Sequence, residues 1–177
     1  MSDTLQTFTH ATALPAGDSG HDVCTLHTGV FSGPVAGLRY QTSTLNGMTN
    51  ENGEFHYRKG ERVAFLVGNT PIGSALGAPR LNLADIVSRV DGNINKLLDA
   101  GLTNIARFLC SLDRDGHLDG GICIDPAAHK IIGQYRLNFR HDISFSGLAL
   151  NPVLEFEQDP LIASVLAELS AAGVFTD

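Results

Sequence analysis

Two patterns of hydrophobic and polar residues divide the chain near Pro79. Between residues 27 and 79, short apolar runs alternate with Gly and Asn at intervals of about ten residues, which is typical of antiparallel sandwiches and barrels. In residues 54–58, Phe55 and Tyr57 alternate with polar side chains, which predicts a strand with one buried and one exposed face. The predicted strands are residues 35–42, 54–58, 62–67 and 70–75.

After Pro79 the apolar residues recur at helical spacing. Asn82, with Asp85 three positions later, resembles a capping pair and predicts a short helix that ends at about residue 90. A longer apolar face follows, and Gly101 within it leaves open whether it belongs to one kinked helix or to two short helices. This face consists of Ile94, Leu97, Leu98, Leu102, Ile105, Phe108, Leu109 and Leu112.

The C-terminal helix has the clearest boundaries. Asp159 is a suitable N-cap, Pro160 suits the first helical position, and Gly173 suits the end of the helix. Its apolar stripe is Leu161, Val165 and Leu169. Residues 130–132 and 136–139 are candidate strands in the segment before it.

These elements predict an α+β fold, in which a small antiparallel β-sandwich in the N-terminal half is followed by a helical segment and a C-terminal helix. Residues 1–22 show no periodicity and are predicted to be a flexible tail. Residues 23–80 are then the β-sandwich region, and residues 81–177 a helical and mixed region packed on it.

Composition excludes several classes of protein. Twelve Lys and Arg residues against nineteen Asp and Glu give a net charge of −7, which opposes binding to nucleic acid. No apolar run approaches the ~20 residues of a transmembrane helix. Residues 1–20 contain no Lys, no Arg and no apolar stretch, so no secretory signal is expected there. A cytoplasmic chain and a processed form of an exported protein both stay open.

The most specific local motif begins at Ser111, directly after the predicted helix. In an EF-hand loop, oxygen ligands occupy positions one, three, five and nine, and a glycine occupies position six. Ser111, Asp113, Asp115 and Asp119 match the ligand positions, whereas Ile122 replaces the usual glutamate at position twelve. These four residues are therefore candidate Ca²⁺ ligands. The alternative is a polar turn in which the aspartates cap backbone N–H groups.

The cysteines and histidines give weaker indications. Cys24, Cys110 and Cys123 have no zinc-type spacing, so buried thiols are expected, with a Cys110–Cys123 disulfide as the alternative. Most of the seven histidines are expected to be solvated or locally bonded. His141 beside Asp142 is the candidate for an oriented catalytic base, but no nucleophile is marked.

Several segments resemble a known group of domains. Residues 29–40 resemble the opening of a domain seen in bacterial envelope lipoproteins and adhesin-like surface proteins. Residues 46–57 and 60–68 look like the signature G-x-T-(D/N)-x-x-G-x-F-x-Y, then G-x-x-V-x-F-x-x-G, of that family, which is similar to transthyretin-like and carboxypeptidase regulatory-like sandwiches. Residues 103–122 resemble the helix and acidic turn that follow in those proteins.

The resemblance implies a non-catalytic binding or structural module of the bacterial cell envelope, in the periplasm or at the cell surface. Its partner would be an unknown protein or envelope component. Some proteins of this kind carry names linked to organic-solvent tolerance transport, which makes a transport accessory the first alternative and predicts an exposed apolar surface on residues 94–112 and the C-terminal helix. The second alternative is a hydrolase of unknown substrate that uses His141 and Asp142, or a cysteine.

Overall fold

The fold is described from a computed structural model. The described residues are 25–87, 96–135, 137–139, 148–149 and 159–175. The predicted tail at residues 1–22, Cys24, and the pair His141 and Asp142 lie outside them. Within the described residues the protein is mixed α+β, with strands arranged in sheets and four α-helices.

The strands are short and most of them precede the helices. They are β1 (Leu26–Phe31), β2 (Val35–Ala36), β3 (Arg39–Gln41), β4 (Asn46–Met48), β5 (Glu54–Arg58), β6 (Arg62–Val67), β7 (Thr70–Leu76), β8 (Arg80–Leu81), β9 (Ile122–Cys123), β10 (Leu137–Asn138) and β11 (Leu148–Ala149). The helices are α1 (Leu83–Val87), α2 (Lys96–Ser111), α3 (Pro126–Ile132) and α4 (Pro160–Ala171).

Two sheets contain seven of the eight strands from β1 to β8, and β2 pairs with β9 instead. One has the order β4-β3-β6-β7 and is antiparallel throughout. The other has the order β5-β1-β8, in which β1 pairs antiparallel with β5 and parallel with β8. The parallel pairing of β8 departs from the purely antiparallel arrangement that the sequence predicts. It is possible because β2 to β7 lie between β1 and β8 in the chain, so that β8 can return to β1 in the same direction.

Aromatic rings join the two sheets. Phe31 and Phe55 of one sheet contact Phe65 of the other, with ring centroids 5.1 and 5.2 Å apart. Tyr40 and Phe55 are 6.2 Å apart across the same space. All four rings are buried, so the inner faces of the two sheets enclose the first part of the hydrophobic core.

The strand predictions are confirmed where apolar and polar residues alternate. Strands β5 and β6 have the predicted bounds, and β7 is one residue longer than predicted. The predicted strand at residues 35–42 is divided into β2 and β3, since Gly37 between them has a φ of 76°. A Cβ at residue 37 would lie 2.4 Å from the Ile124 carbonyl oxygen, so this bend also allows a close approach of two backbones.

Three helices follow their sequence signals. At α1, Asn82 Oδ1 accepts from the Asp85 N–H at 3.0 Å and Asp85 Oδ2 accepts from the Asn82 N–H at 2.8 Å, which confirms the capping pair. Helix α2 runs through Gly101 without a break, and both Phe108 on its apolar face and Leu112 directly after its end are fully buried. Helix α4 begins at Pro160 after the Asp159 cap, as predicted.

The predicted strand at residues 130–132 is wrong, because these residues form the last part of α3. Asp125 caps this helix by accepting from the Ala127 N–H at 2.8 Å, and Pro126 occupies the first helical position. The same Asp-Pro signal precedes α4. The apolar pair Ile131 and Ile132 resembles a strand locally, but both side chains pack into the core from a helix.

The β region and the helices share one core. Buried side chains from β1, β3, β5, β6, α2, α3 and α4 belong to a single apolar cluster. Strand β2 pairs in parallel with β9, which ties the segment after α2 to the start of the β region. Tyr135 donates a hydrogen bond to Glu168, which joins the end of α3 to α4. The helices therefore form part of the same folded unit as the sheets.

Candidate functional site

The turn between β4 and β5 shows what the family-like signature does physically. The Thr49 hydroxyl accepts from the Leu38 N–H at 2.9 Å and donates to the Val35 carbonyl, and its residue is 3% exposed. Asn50 Oδ1 accepts from the N–H groups of Asn52 and Glu54 at 3.0 and 2.9 Å. These signature residues hold a turn together, so they are structural residues.

The acidic loop after α2 is closed by Asp113. An antiparallel bridge joins Asp113 to Ile124. Asp113 Oδ1 accepts from the Cys123 N–H at 2.9 Å, and the Arg114 N–H donates to the Cys123 carbonyl at 3.0 Å. Residues 114–123 thus form a loop whose two ends are tied together beside the end of α2.

Asp113 combines deep burial with an incomplete set of hydrogen bonds. The residue is 5% exposed, and its Oδ2 atom is buried with no hydrogen-bond partner. An open depression of about 500 Å³ lies between this loop and the C-terminal part of α4. This α2–α4 depression is lined by Cys110, Ser111, Asp113, Arg114, Asp115, Gly116, Leu166, Ser170 and Phe175.

Three of the four predicted calcium ligands line this depression. Ser111 donates to the Phe108 carbonyl at 2.8 Å, and Asp115 Oδ1 accepts from the His117 N–H at 3.0 Å, so both side chains also bond to backbone. Asp119 is exposed in a single 3-10 turn and does not line the depression. Among the described residues, no group of three or more His, Cys, Asp or Glu side chains is arranged to hold a metal ion.

The expectation of buried thiols is wrong for two cysteines. Cys110 and Cys123 are both exposed and both free. Cys110 is the last but one residue of α2 and Cys123 ends β9, and both positions face outward from the core. Cys110 lines the α2–α4 depression, so its thiol stands beside Ser111 at the candidate site.

His129 on α3 is the most constrained histidine of the described chain. Its Nδ1 accepts from the Gly68 N–H at 2.8 Å, and its Nε2 lies 2.6 Å from the Gly37 carbonyl oxygen. Since Nδ1 accepts, Nε2 carries the ring proton and donates it to that carbonyl. Burial lowers the pKa of His129 below 6.5; the bond to Gly37 opposes this effect, and the positive charge of Arg39 adds to it. The ring is therefore a neutral crosslink between α3 and two turns of the β region.

A second open depression, of about 530 Å³, lies beside His129. This α3 depression is lined by Arg39, Met48, Gly68, Asn69, Pro126, His129, Lys130, Gly133 and Gln134. Asn69 donates to the Gly133 carbonyl at 3.0 Å, which fixes one wall. The lining contains the side chains of Arg39 and Lys130 and no carboxylate.

Sequence reasoning did not find the α3 depression. His129 bonds to backbone groups 61 and 92 positions away, and it was expected to be solvated or locally bonded. Arg39 and Lys130 are 91 positions apart in the chain and have no shared motif. The only available signal was the Asp125-Pro126 cap, which would have made residues 126–132 a helix and placed His129 and Lys130 on it.

The described surface also bears on the transport alternative. No helix among the described residues is both long and apolar enough to cross a membrane. The exposed large hydrophobic residues of the described chain are Leu26, Met48 and Leu76, all on strands. The large apolar side chains described on α2 and α4 are wholly or partly buried, and the alanines that are exposed on α4 are small, so the described parts of these helices do not supply the exposed surface that this alternative predicts.

Comparisons with known proteins add no assignment. Neither a scan against protein-family models nor searches of curated proteins and solved structures found a match to this chain.

Proposed function

We propose that this chain is a non-catalytic binding module of the bacterial cell envelope, stabilised by calcium at the loop after α2. Its scaffold is a small β-sandwich made of the two facing sheets. The resemblance of residues 29–68 to envelope lipoproteins and adhesin-like proteins supports the envelope assignment.

Asp113 is the observation that carries the calcium site. A buried carboxylate oxygen without a partner is unfavourable, and a bound cation would compensate it. Asp115 and Ser111 line the same depression and offer the oxygen ligands that Ca²⁺ prefers. Calcium binding at this site requires the Asp113 carboxylate to turn toward the depression, because its free oxygen is buried. Backbone carbonyls and water complete the coordination.

The expected affinity is low because the depression contains only two carboxylates. Extracellular calcium modules bind with dissociation constants of about 0.1 to 1 mM, and this site belongs at the weak end of that range. At tenfold excess of calcium over the dissociation constant, binding stabilises the fold by about 1.4 kcal/mol. For a chain of this size that corresponds to a rise in melting temperature of roughly 3 to 6 °C.

The test is a calcium titration of chelator-treated protein by calorimetry, with melting temperatures measured by circular dichroism. Asp113→Asn and Asp115→Asn should abolish the heat and the shift, while each asparagine retains an oxygen that can accept the backbone hydrogen bond. Asp119→Asn is the matched control, since it removes the same charge from the same loop outside the depression. No heat and no shift, or equal losses in all three variants, would refute the site.

The envelope location has a separate test. Fractionation of a bacterium that expresses the natural gene, followed by detection with an antibody to the purified chain, should place the protein in the periplasmic or outer-surface fraction. Recovery in the cytoplasm would contradict the envelope location. The calcium titration of the purified protein would still test the calcium site separately.

A further inference from the structure

The α3 depression has a fixed framework. The His129 ring bonds to the backbone at Gly68 and at Gly37, and so joins α3 to the turns before β3 and before β7. A Cβ at residue 68 would lie 2.5 Å from the Gly133 nitrogen, which shows how closely the two backbones meet. A ligand that binds here would meet groups already held in place, which reduces the entropy lost on binding.

The charge of this depression is opposite to that of the whole protein. Two cations, Arg39 and Lys130, line it, whereas the chain as a whole has a net charge of −7. Neither side chain forms an ion pair or a hydrogen bond with any described residue. Gln134 adds an exposed amide to the same lining. The His129 ring stays neutral because burial lowers its pKa, so the positive charge comes from Arg39 and Lys130.

We propose that the α3 depression binds a compact oxyanion, either a carboxylate or a phosphate group of a larger ligand. The planar guanidinium of Arg39 suits two parallel hydrogen bonds to such a group, and Lys130 supplies a second charge. Met48, which is 51% exposed, offers an apolar contact at the edge of the depression for the neighbouring part of the ligand. This site is separate from the calcium site and does not depend on it.

The probes are inorganic phosphate and acetate, titrated at constant ionic strength with chloride as the balancing anion. Backbone amide chemical shifts should move saturably at residues around Arg39 and Lys130 for at least one probe. The stronger binder identifies phosphate or carboxylate as the natural group. No saturable shift at these residues for either probe would overturn the proposal.

Variants identify the groups responsible. Arg39→Gln should weaken binding by at least about tenfold, because a charge-assisted hydrogen bond is lost. The affinity of Arg39→Lys should lie between those of the wild type and Arg39→Gln, since lysine keeps the charge and loses the planar geometry. Arg62→Gln is the matched control, an exposed cation on β6 outside this depression, and should stay within about twofold of the wild type. An unchanged affinity in Arg39→Gln, or an equal loss in Arg62→Gln, would overturn the proposal.

The two proposals fail separately. Calcium binding is measured with Asp113→Asn and Asp115→Asn, which leave the α3 depression intact. Oxyanion binding is measured on protein first treated with chelator and then dialysed free of chelator and calcium, so that the calcium site is empty in every sample and no chelator carboxylate competes with the probes. Melting temperatures of Arg39→Gln within about 2 °C of the wild type confirm that weaker binding is not a consequence of unfolding.

Discussion

Replacing Thr49 with valine tests whether the family-like signature stabilises the fold. Valine has nearly the same shape, but it cannot accept from the Leu38 N–H or donate to the Val35 carbonyl. Leu38 and Val35 are 0% and 2% exposed, so water cannot replace the lost partner in the folded state. Thr49→Val therefore leaves two buried backbone groups unpaired.

The cost follows from these two groups. A buried polar group without a partner costs about 1 to 3 kcal/mol. The methyl group that replaces the hydroxyl returns about 0.8 kcal/mol through burial. The net loss in the free energy of unfolding should be about 1 to 5 kcal/mol, which lowers the melting temperature of a chain of this size by roughly 2 to 20 °C.

Urea unfolding followed by circular dichroism measures this loss, which suits a chain without tryptophan. Thr49→Ser keeps the hydroxyl and should lose far less stability. Thr28→Val removes an exposed hydroxyl on β1 and should change stability by less than about 0.5 kcal/mol. If Thr49→Val is as stable as the wild type, or if Thr28→Val is equally damaging, the buried hydroxyl does not have the role described here.

Three further changes test other contacts. Stability should fall as the pH drops below 6.5, because the lowered pKa of folded His129 lets the unfolded chain bind the proton first. Urea unfolding from about pH 8 to about pH 5 measures this fall. If the dependence of the free energy of unfolding on pH is unchanged in His129→Gln, the prediction is contradicted. Glu61→Gln should lower the melting temperature at neutral pH, because the carboxylate accepts from Ser43 at 2.5 Å and its pKa is lowered to about 2. The wild-type contribution should be complete above pH 4.5 and lost as the pH falls toward 2, whereas an unaltered melting temperature in Glu61→Gln would refute it. Gly60→Ala should lower the free energy of unfolding by about 1 to 2 kcal/mol, because residue 60 has a positive φ. Gly68→Ala should lower it by about 1 to 3 kcal/mol more, because its Cβ would also collide with the Gly133 backbone. Equal losses for the two variants in denaturant unfolding would exclude the close approach at Gly68.

The sequence alone determined the elements whose signals are local. Strand β5 follows from the alternation around Phe55, and α4 follows from Asp159, Pro160 and Gly173. In such elements the residues that define the period and the caps are all within a few positions of one another. The mixed α+β class follows from the same local patterns.

Tertiary structure decided what local patterns leave ambiguous. Residues 130–132 contain too few apolar side chains to distinguish a strand from a helix by periodicity. Their packing against the core as the last part of α3 makes them helical. The division of the strand at residues 35–42 depends on the approach of the Gly37 and Ile124 backbones. Neither contact is encoded within one short window of the chain.

The candidate sites divide in the same way. The acidic loop is contiguous, so its residues could be named from the sequence. Only the hydrogen bond from the Cys123 N–H to Asp113 Oδ1 shows which oxygen of this carboxylate is bonded and which is left without a partner. The α3 depression brings Arg39 together with Lys130, far apart in the chain, and depends on the His129 crosslink. A local sequence pattern cannot predict that these two residues are close in space, because it involves only residues that are near one another in the chain.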